Sequence, residues 1–161
     1  MGGERLSELV AQHQEMLLKV CYAYLLSAED ARDAVQDTFL KACLNLDSFR
    51  GECSEKSWLI KIARNTCLDM RRSAWFRRVD KRIRVEDLPE TSAPGASEEE
   101  RELTAAVLSL PQKLKDAVIL YYFQDLTMQE TADILGISQP SVSSRLSRAR
   151  KKLKSYLEGE R

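Results

Sequence analysis

An all-α fold in two small helical domains is what this chain predicts, and three observations predict it. Glycine and proline together number only ten in 161 residues, too few for the frequent tight turns of a strand-rich chain. Apolar residues recur at intervals of three and four along most of the length, while strict alternation is hard to find. Between two such stretches, residues 85–97 (VEDLPETSAPGAS) collect proline, serine, glycine and acid with little to bury, the composition of a linker. At 43% hydrophobic, the length suits one or two modest cores.

The elements follow in chain order. Leu6, Leu9, Val10, Leu17, Val20, Cys21, Tyr24 and Leu25 share a face at helical spacing, so 4–26 forms one or two amphipathic helices. Ser27 is an N-cap with Asp30 three residues on. The helix it opens has a core stripe of Ala31, Ala34, Val35, Thr38, Phe39 and Ala42, and an opposite, mainly acidic surface of Asp30, Asp33, Gln36, Asp37 and Lys41. The segment 47–54 (DSFRGECS) is a polar loop holding an aromatic, an arginine and a glycine. Ser54 or Ser57 starts a third helix with Leu59, Ile62, Ala63, Thr66 and Met70 inward. Its other side offers Lys61, Arg64 and Asn65, and at its end Arg71 and Arg72; Trp58 lies near the boundary, more a core anchor than a stacking group. WFRRVDKRIR (75–84) extends this helix with a basic run before the linker.

Residues 127–153 (TMQETADILGISQPSVSSRLSRARKKL) predict two short helices joined by a tight turn. Thr127 and Glu130 form a capping box, Ala132, Ile134 and Leu135 supply an apolar side, and Gly136 sits where a helix end needs a left-handed residue. Ser138 caps a second helix with Pro140 in its first turn. Val142, Leu146, Ala149 and Leu153 share the buried face, leaving Gln139, Ser141, Ser143, Ser144, Arg145, Ser147 and Arg148 outward, with Arg150, Lys151, Lys152 and Lys154 as a basic continuation. Small polar groups ahead of cations on a helix after a tight turn suit base edges and phosphates, the chemistry of a DNA-reading helix-turn-helix. A helical hairpin with a solvated basic face is the plainer alternative.

Charge supports the first reading despite a net charge of zero. Residues 138–161 carry seven Lys/Arg against two Asp/Glu and residues 76–84 five against one, whereas 85–102 carry one against seven. Local blocks of one sign, more than the total, set up a binding footprint. No run approaches 18 apolar residues and the start, MGGERLSELV, is no signal peptide, so a cytoplasmic protein without membrane insertion is expected. Cys21, Cys43, Cys53 and Cys67 show no CxxC spacing and stand beside a single histidine, His13. Four small buried hydrophobes in a reducing compartment, with no metal and no cofactor, is the reading favoured over a zinc or redox site.

Three ordered segments carry a family resemblance: AEDARDAVQDTFLKA (28–42), FRGECSEKSWLIKIARNTCLDMRR (49–72) and LPQKLKDAVILYYFQDLTMQETADILGISQPSVSSRLSRARKKL (110–153). Together they resemble a small bacterial sigma factor of the extracytoplasmic-function type, in the sigma-70 family. The resemblance implies a region 2-like domain at 4–76, a basic extension and acidic linker at 77–97, and a region 4-like helix-turn-helix domain at 98–157. It implies a dissociable promoter-specificity subunit of RNA polymerase that performs no covalent chemistry, with no catalytic residue. By similarity, Gln139, Ser141, Ser143, Ser144, Arg145, Arg148 and Lys152 meet the minus-35 element. Phe49, Arg50, Trp58, Lys61, Arg64, Asn65, Arg71 and Arg72 hold the opened minus-10 element. Asp33, Gln36 and Asp37 dock on the coiled coil of the beta-prime clamp. The implied partners are the polymerase core (beta-prime clamp and beta flap), promoter DNA and an anti-sigma protein. The implied path of the linker runs toward the channel that nascent RNA later occupies.

Two departures from the family's usual pattern stand out. Pro140-Ser141-Val142-Ser143 replace the common Gly-Thr-Val-Lys at the recognition helix, which implies that one phosphate or base contact is either absent or supplied by Arg145. Ile60 follows the Trp-Leu pair where an aromatic is common, implying fewer stacking side chains for melting. A stand-alone helix-turn-helix regulator, dimeric on a palindrome, is the rival from another class, and a thiol-based redox sensor a third.

Overall fold

A computed structural model describes residues 2–72, 85–88 and 95–159; among them there are α-, 3-10 and π-helical segments and no strand. The chain divides into two compact units, residues 1–78 and 79–161. The basic run expected over 75–84 lies outside the described residues.

In the first unit one helix spans α1 (Gly2–Leu25), followed by α2 (Ala28–Leu44) and α3 (Glu55–Arg71). All three pack on one another. Leu9, Leu17, Val20, Cys21 and Tyr24 of α1 are buried, as are all six residues of the predicted stripe of α2. Ser27 Oγ accepts from Asp30 N at 3.2 Å and starts α2 as expected. Lys41 departs from its expected place on the outer surface: half-buried, it crosses to α3, where its Nζ donates to Thr66 Oγ1 at 2.9 Å.

Ser54 is the N-cap of α3, its Oγ accepting from Ser57 N at 3.0 Å. Leu59, Ala63 and Thr66 are buried as expected, but Ile62 and Met70 are only half-buried and Ile60 and Cys67 take their share of the core. The cause is that α3 packs against both α1 and α2, so its buried arc is wider than one stripe and rotated toward 60 and 67. Ile60, which stands where the family commonly has an aromatic, is 0% exposed and faces the core.

The second unit comprises α4 (Glu98–Leu108), α5 (Gln112–Val118), a π-helical turn at Ile119–Phe123, α6 (Met128–Leu135) and α7 (Gln139–Leu157). Ser97 caps α4, and Glu98, Glu99 and Glu100 occupy its first turn, where acid complements the helix dipole. Val107, Leu110, Leu114, Ala117, Val118, Ala132, Val142, Leu146 and Ala149 form one core. The linker is less bare than its composition suggests. Residues Val85–Asp87 make a 3-10 turn against α4, Leu88 is buried, and Arg101 donates to the Val85 carbonyl at 3.4 Å.

Candidate nucleic-acid interface

The helix-turn-helix forms from the local signals already noted. Thr127 Oγ1 accepts from Glu130 N at 3.0 Å while Glu130 Oε1 accepts from Thr127 N at 2.9 Å, completing the capping box. Gly136 ends α6 at φ 69°, and Ser138 Oγ receives Ser141 N at 3.2 Å to start α7. Val142, Leu146 and Ala149 are sealed into the core, which fixes the rotation of α7 and hence what it shows outside.

On that outer side Gln139, Ser141, Ser143, Ser144, Arg148 and Lys152 are exposed and Arg145 half-exposed. Two of the polar groups are already engaged. Ser141 Oγ accepts from Ser138 Oγ at 2.9 Å, and Gln139 Nε2 donates to Gln129 Oε1 at 2.6 Å. Arg150 is steadied too, its Nη1 donating to the Tyr122 hydroxyl at 2.8 Å. Tyr122 comes from the π-helical turn, where Gln124 N reaches back five residues to the Ile119 carbonyl at 3.0 Å. Gln129 and Tyr122 were not marked by the sequence reading, because the partners lie ten and 28 residues away.

In the first unit the loop before α3 and that helix's outer face come together around an aromatic pair. Phe49 and Trp58 stack with ring centroids 4.6 Å apart and planes 22° from parallel, both half-buried. Trp58 is thus neither a core anchor nor a free platform: one face is covered by the loop aromatic. Arg50, Lys61 and Asn65 are exposed and Arg64 half-buried. Arg71 is drawn toward α1, its Nη1 donating to the Tyr24 carbonyl at 3.4 Å, where a cation suits a helix C-terminus. Arg72 stays exposed and pairs with Asp69 at 3.0 Å, a contact too solvated to add much stability.

At the start of α3, Glu55 joins the loop's exit to α1. Its carboxylate accepts from Arg5 Nη2 and lies 3.0 Å from His13 Nε2. The His13 hydrogen bond foremost, with Arg5 beside it, holds the Glu55 carboxyl below its ordinary value of 4.5 against the opposing effect of burial.

Asp33, Gln36 and Asp37 are exposed together on α2. Leu40 and Leu44 continue the same row at helical spacing and are 56% and 84% exposed. The sequence reading missed them, although neither belongs to the apolar stripe of 31, 34, 35, 38, 39 and 42. The cysteines divide in a way that corrects the expectation of four buried residues: Cys21 and Cys67 are buried, but Cys43 is half-buried at the end of α2 and Cys53 is exposed in the loop. A hydrogen bond with Cys21 and burial push the Cys67 thiol up, which favours its protonated form. Among the described residues no three His, Cys, Asp or Glu side chains gather as metal ligands. No helix among them is long and apolar enough to cross a membrane.

The family model described as Sigma-70 region 2 matches residues 9–77, and that described as Sigma-70, region 4 matches residues 100–153. The RNA polymerase sigma factor SigV of Bacillus subtilis (strain 168) is 30% identical over 155 residues, covering 94% of this chain and 90% of that protein. The RNA polymerase sigma factor YlaC of the same organism is 32% identical over 163 residues, covering 94% and 91%. Of solved structures, CnrH in complex with the cytosolic domain of CnrY superposes with TM-score 0.73 at 28% identity, over 99% of this chain and 91% of that one. The sigma factor RpoE from Bartonella quintana, solved with the anti-sigma factor NepR, has the same fold, with TM-score 0.79 at 24% identity over 98% and 99%.

Proposed function

The chain belongs to the sigma-70 family, in its extracytoplasmic-function group, and is a promoter-specificity subunit of RNA polymerase; from that premise we propose how its two units divide the task. In the second unit α7 enters the major groove of the minus-35 element, with Gln139, Ser141, Ser143, Ser144, Arg145 and Arg148 toward base edges and Lys152 on a phosphate. The first unit holds the opened minus-10 element. There the Phe49 and Trp58 stack gives an unpaired base an aromatic edge, while Arg50, Lys61, Arg64, Asn65, Arg71 and Arg72 supply donors and cations for the displaced strand.

The row Asp33, Gln36 and Asp37 docks on the polymerase clamp. Exposed Leu40 and Leu44 extend that row with apolar contact, the kind of side chain found at an interface centre. The C-terminal unit meets the beta flap. The protein works in the cytoplasm by binding alone, with no covalent step of its own. CnrH is solved with the cytosolic domain of CnrY bound, and on that likeness a regulatory protein of the anti-sigma kind is a further partner here.

One observation carries the reading: a region 2 match over 9–77 stands ahead of a region 4 match over 100–153 in the same chain. A stand-alone regulator would account for the second alone. The deciding experiment is transcription from a random promoter library by core polymerase with and without the protein. Selection of paired minus-35 and minus-10 sequences only when both are present is the expected result. Tight operator binding by the protein alone, indifferent to polymerase, would overturn it.

A further inference from the structure

Gln139 occupies the first position of α7, and its amide is held before any DNA arrives. Its Nε2 donates to Gln129 Oε1 at 2.6 Å, and Gln129 Nε2 donates in turn to Asp133 Oδ1 at 2.8 Å. All three side chains are exposed, so none is needed to fill the core. The order of the relay follows from chemistry. An ionised carboxylate only accepts, so Asp133 takes the NH2 end of the Gln129 amide. Gln129 must then present its carbonyl oxygen across the turn, and only an N–H can meet it. Asp133 therefore sets the direction of the whole chain of bonds and turns the Gln139 Nε2 toward Gln129.

What Gln139 has left is one N–H and its carbonyl oxygen, a donor and an acceptor on one planar group. In the major groove adenine offers the complement, N7 to accept and N6 to donate, whereas guanine offers two acceptors, cytosine a donor, and thymine an acceptor with a methyl group. Fixing the amide in advance also removes part of the rotamer entropy lost on binding. We propose that Gln139 reads an adenine in the minus-35 element and that Gln129 and Asp133 are positioning residues holding its amide in the reading orientation. The proposal rests on the placement of α7 in the major groove given above.

The test uses the full chain assembled with core polymerase on promoters randomised across the minus-35 element, scoring base preference at each position from the transcripts. Wild type should favour A·T at one position. Gln139→Ala should cut that preference about tenfold and leave other positions unchanged. Gln129→Ala and Asp133→Ala should each cut it about three- to fivefold at the same position, since a loosened amide pays for its ordering on DNA. The double variant Gln129→Glu with Asp133→Asn should restore it to within about twofold of wild type, because the amide introduced at position 133 can donate to the carboxylate introduced at position 129, which still accepts from Gln139. A bond that only pinned α6 to α7 would instead lower thermal stability and weaken every position alike, overturning the proposal. It also falls if Gln139→Ala leaves the adenine preference intact, or if Gln129→Ala and Asp133→Ala leave it untouched while Gln139→Ala abolishes it. Arg145→Ala separates this failure from that of the groove placement. If Arg145→Ala alters its own base position and Gln139→Ala alters none, only the glutamine inference fails; if neither alters any, the placement fails and takes the inference with it.

Discussion

Leu26 and Gly136 adopt nearly the same backbone, φ 57° and 69°, at the ends of two helices, and only one of them is a glycine. A side chain in this left-handed region costs about 1–2 kcal/mol, which glycine escapes at the expense of greater freedom in the unfolded chain. Nothing lies within 4 Å of a Cβ built at Gly136, so Gly136→Ala should destabilise by about 1 kcal/mol through the backbone alone. Leu26 is 39% exposed, so the covered part of its side chain contributes about 1 kcal/mol, which offsets relief of similar size from a glycine there. Leu26→Gly should therefore change stability by less than about 0.5 kcal/mol; a shift of the unfolding midpoint much smaller than that of Gly136→Ala is the measurable sign. Glu55 makes the second prediction at this scale. Its carboxyl is held below its ordinary value by His13 and Arg5, so on acidification the unfolded chain takes up a proton at Glu55 before the folded one does. The stabilisation is whole above the ordinary carboxylate range and is lost as pH falls through the lowered value. Wild type should lose more stability than Glu55→Gln between about pH 6 and about pH 3, followed by thermal melts; equal losses would remove Glu55 from the acid response.

At the level of elements, α6 and α7 were legible because every signal that makes them lies within four residues: the Thr127 and Glu130 box, the left-handed Gly136 and the Ser138 cap. The stripe of α2 was legible for a similar reason, since that helix buries one face. In α3, packed on two neighbours, the sequence reading placed Leu59, Ala63 and Thr66 inward and expected Cys67 to be buried, but missed Ser57 and Ile60. Contacts between distant residues were out of reach altogether, as with Phe49 on Trp58, Arg71 on the Tyr24 carbonyl and Gln139 on Gln129. The outward face of α7 gives a prediction about the helix as a unit. Arg145→Ala should cost about 1–3 kcal/mol of discrimination at one minus-35 base position, as for a guanine pair lost. Lys152→Ala should weaken all sequences alike and lower the slope of log affinity against log salt by about one. Both are read in holoenzyme binding to variant promoters; equal behaviour of the two variants would show that the base-reading and phosphate-binding sides of α7 are wrongly divided.

For the molecule as a whole, zero net charge conceals a basic C-terminal helix and an acidic stretch over 85–102, and the two do different work. The acidic stretch is anchored at its start by buried Leu88 and by the bond from Arg101 to the Val85 carbonyl. Glu86 is left exposed on that turn. A short turn held by Leu88 and Arg101 and showing Glu86 to solvent can satisfy cationic walls of a channel, yet a polyanion of the same sign can displace it by competing for those walls. This suits the path that the family resemblance implies for the connector, toward the channel that nascent RNA later occupies. Replacing Glu86, Asp87 and Glu90 by their amides should therefore change the yield of abortive transcripts or the rate of promoter escape while leaving promoter choice intact. Leu88 separates charge from anchoring. Leu88→Ala should shift the same escape measurements by loosening the turn, with the acid unchanged. A Gly/Ser replacement of equal length that reproduces the wild-type abortive pattern would reduce the stretch to a tether, because neither its charge nor its anchor would then matter to escape.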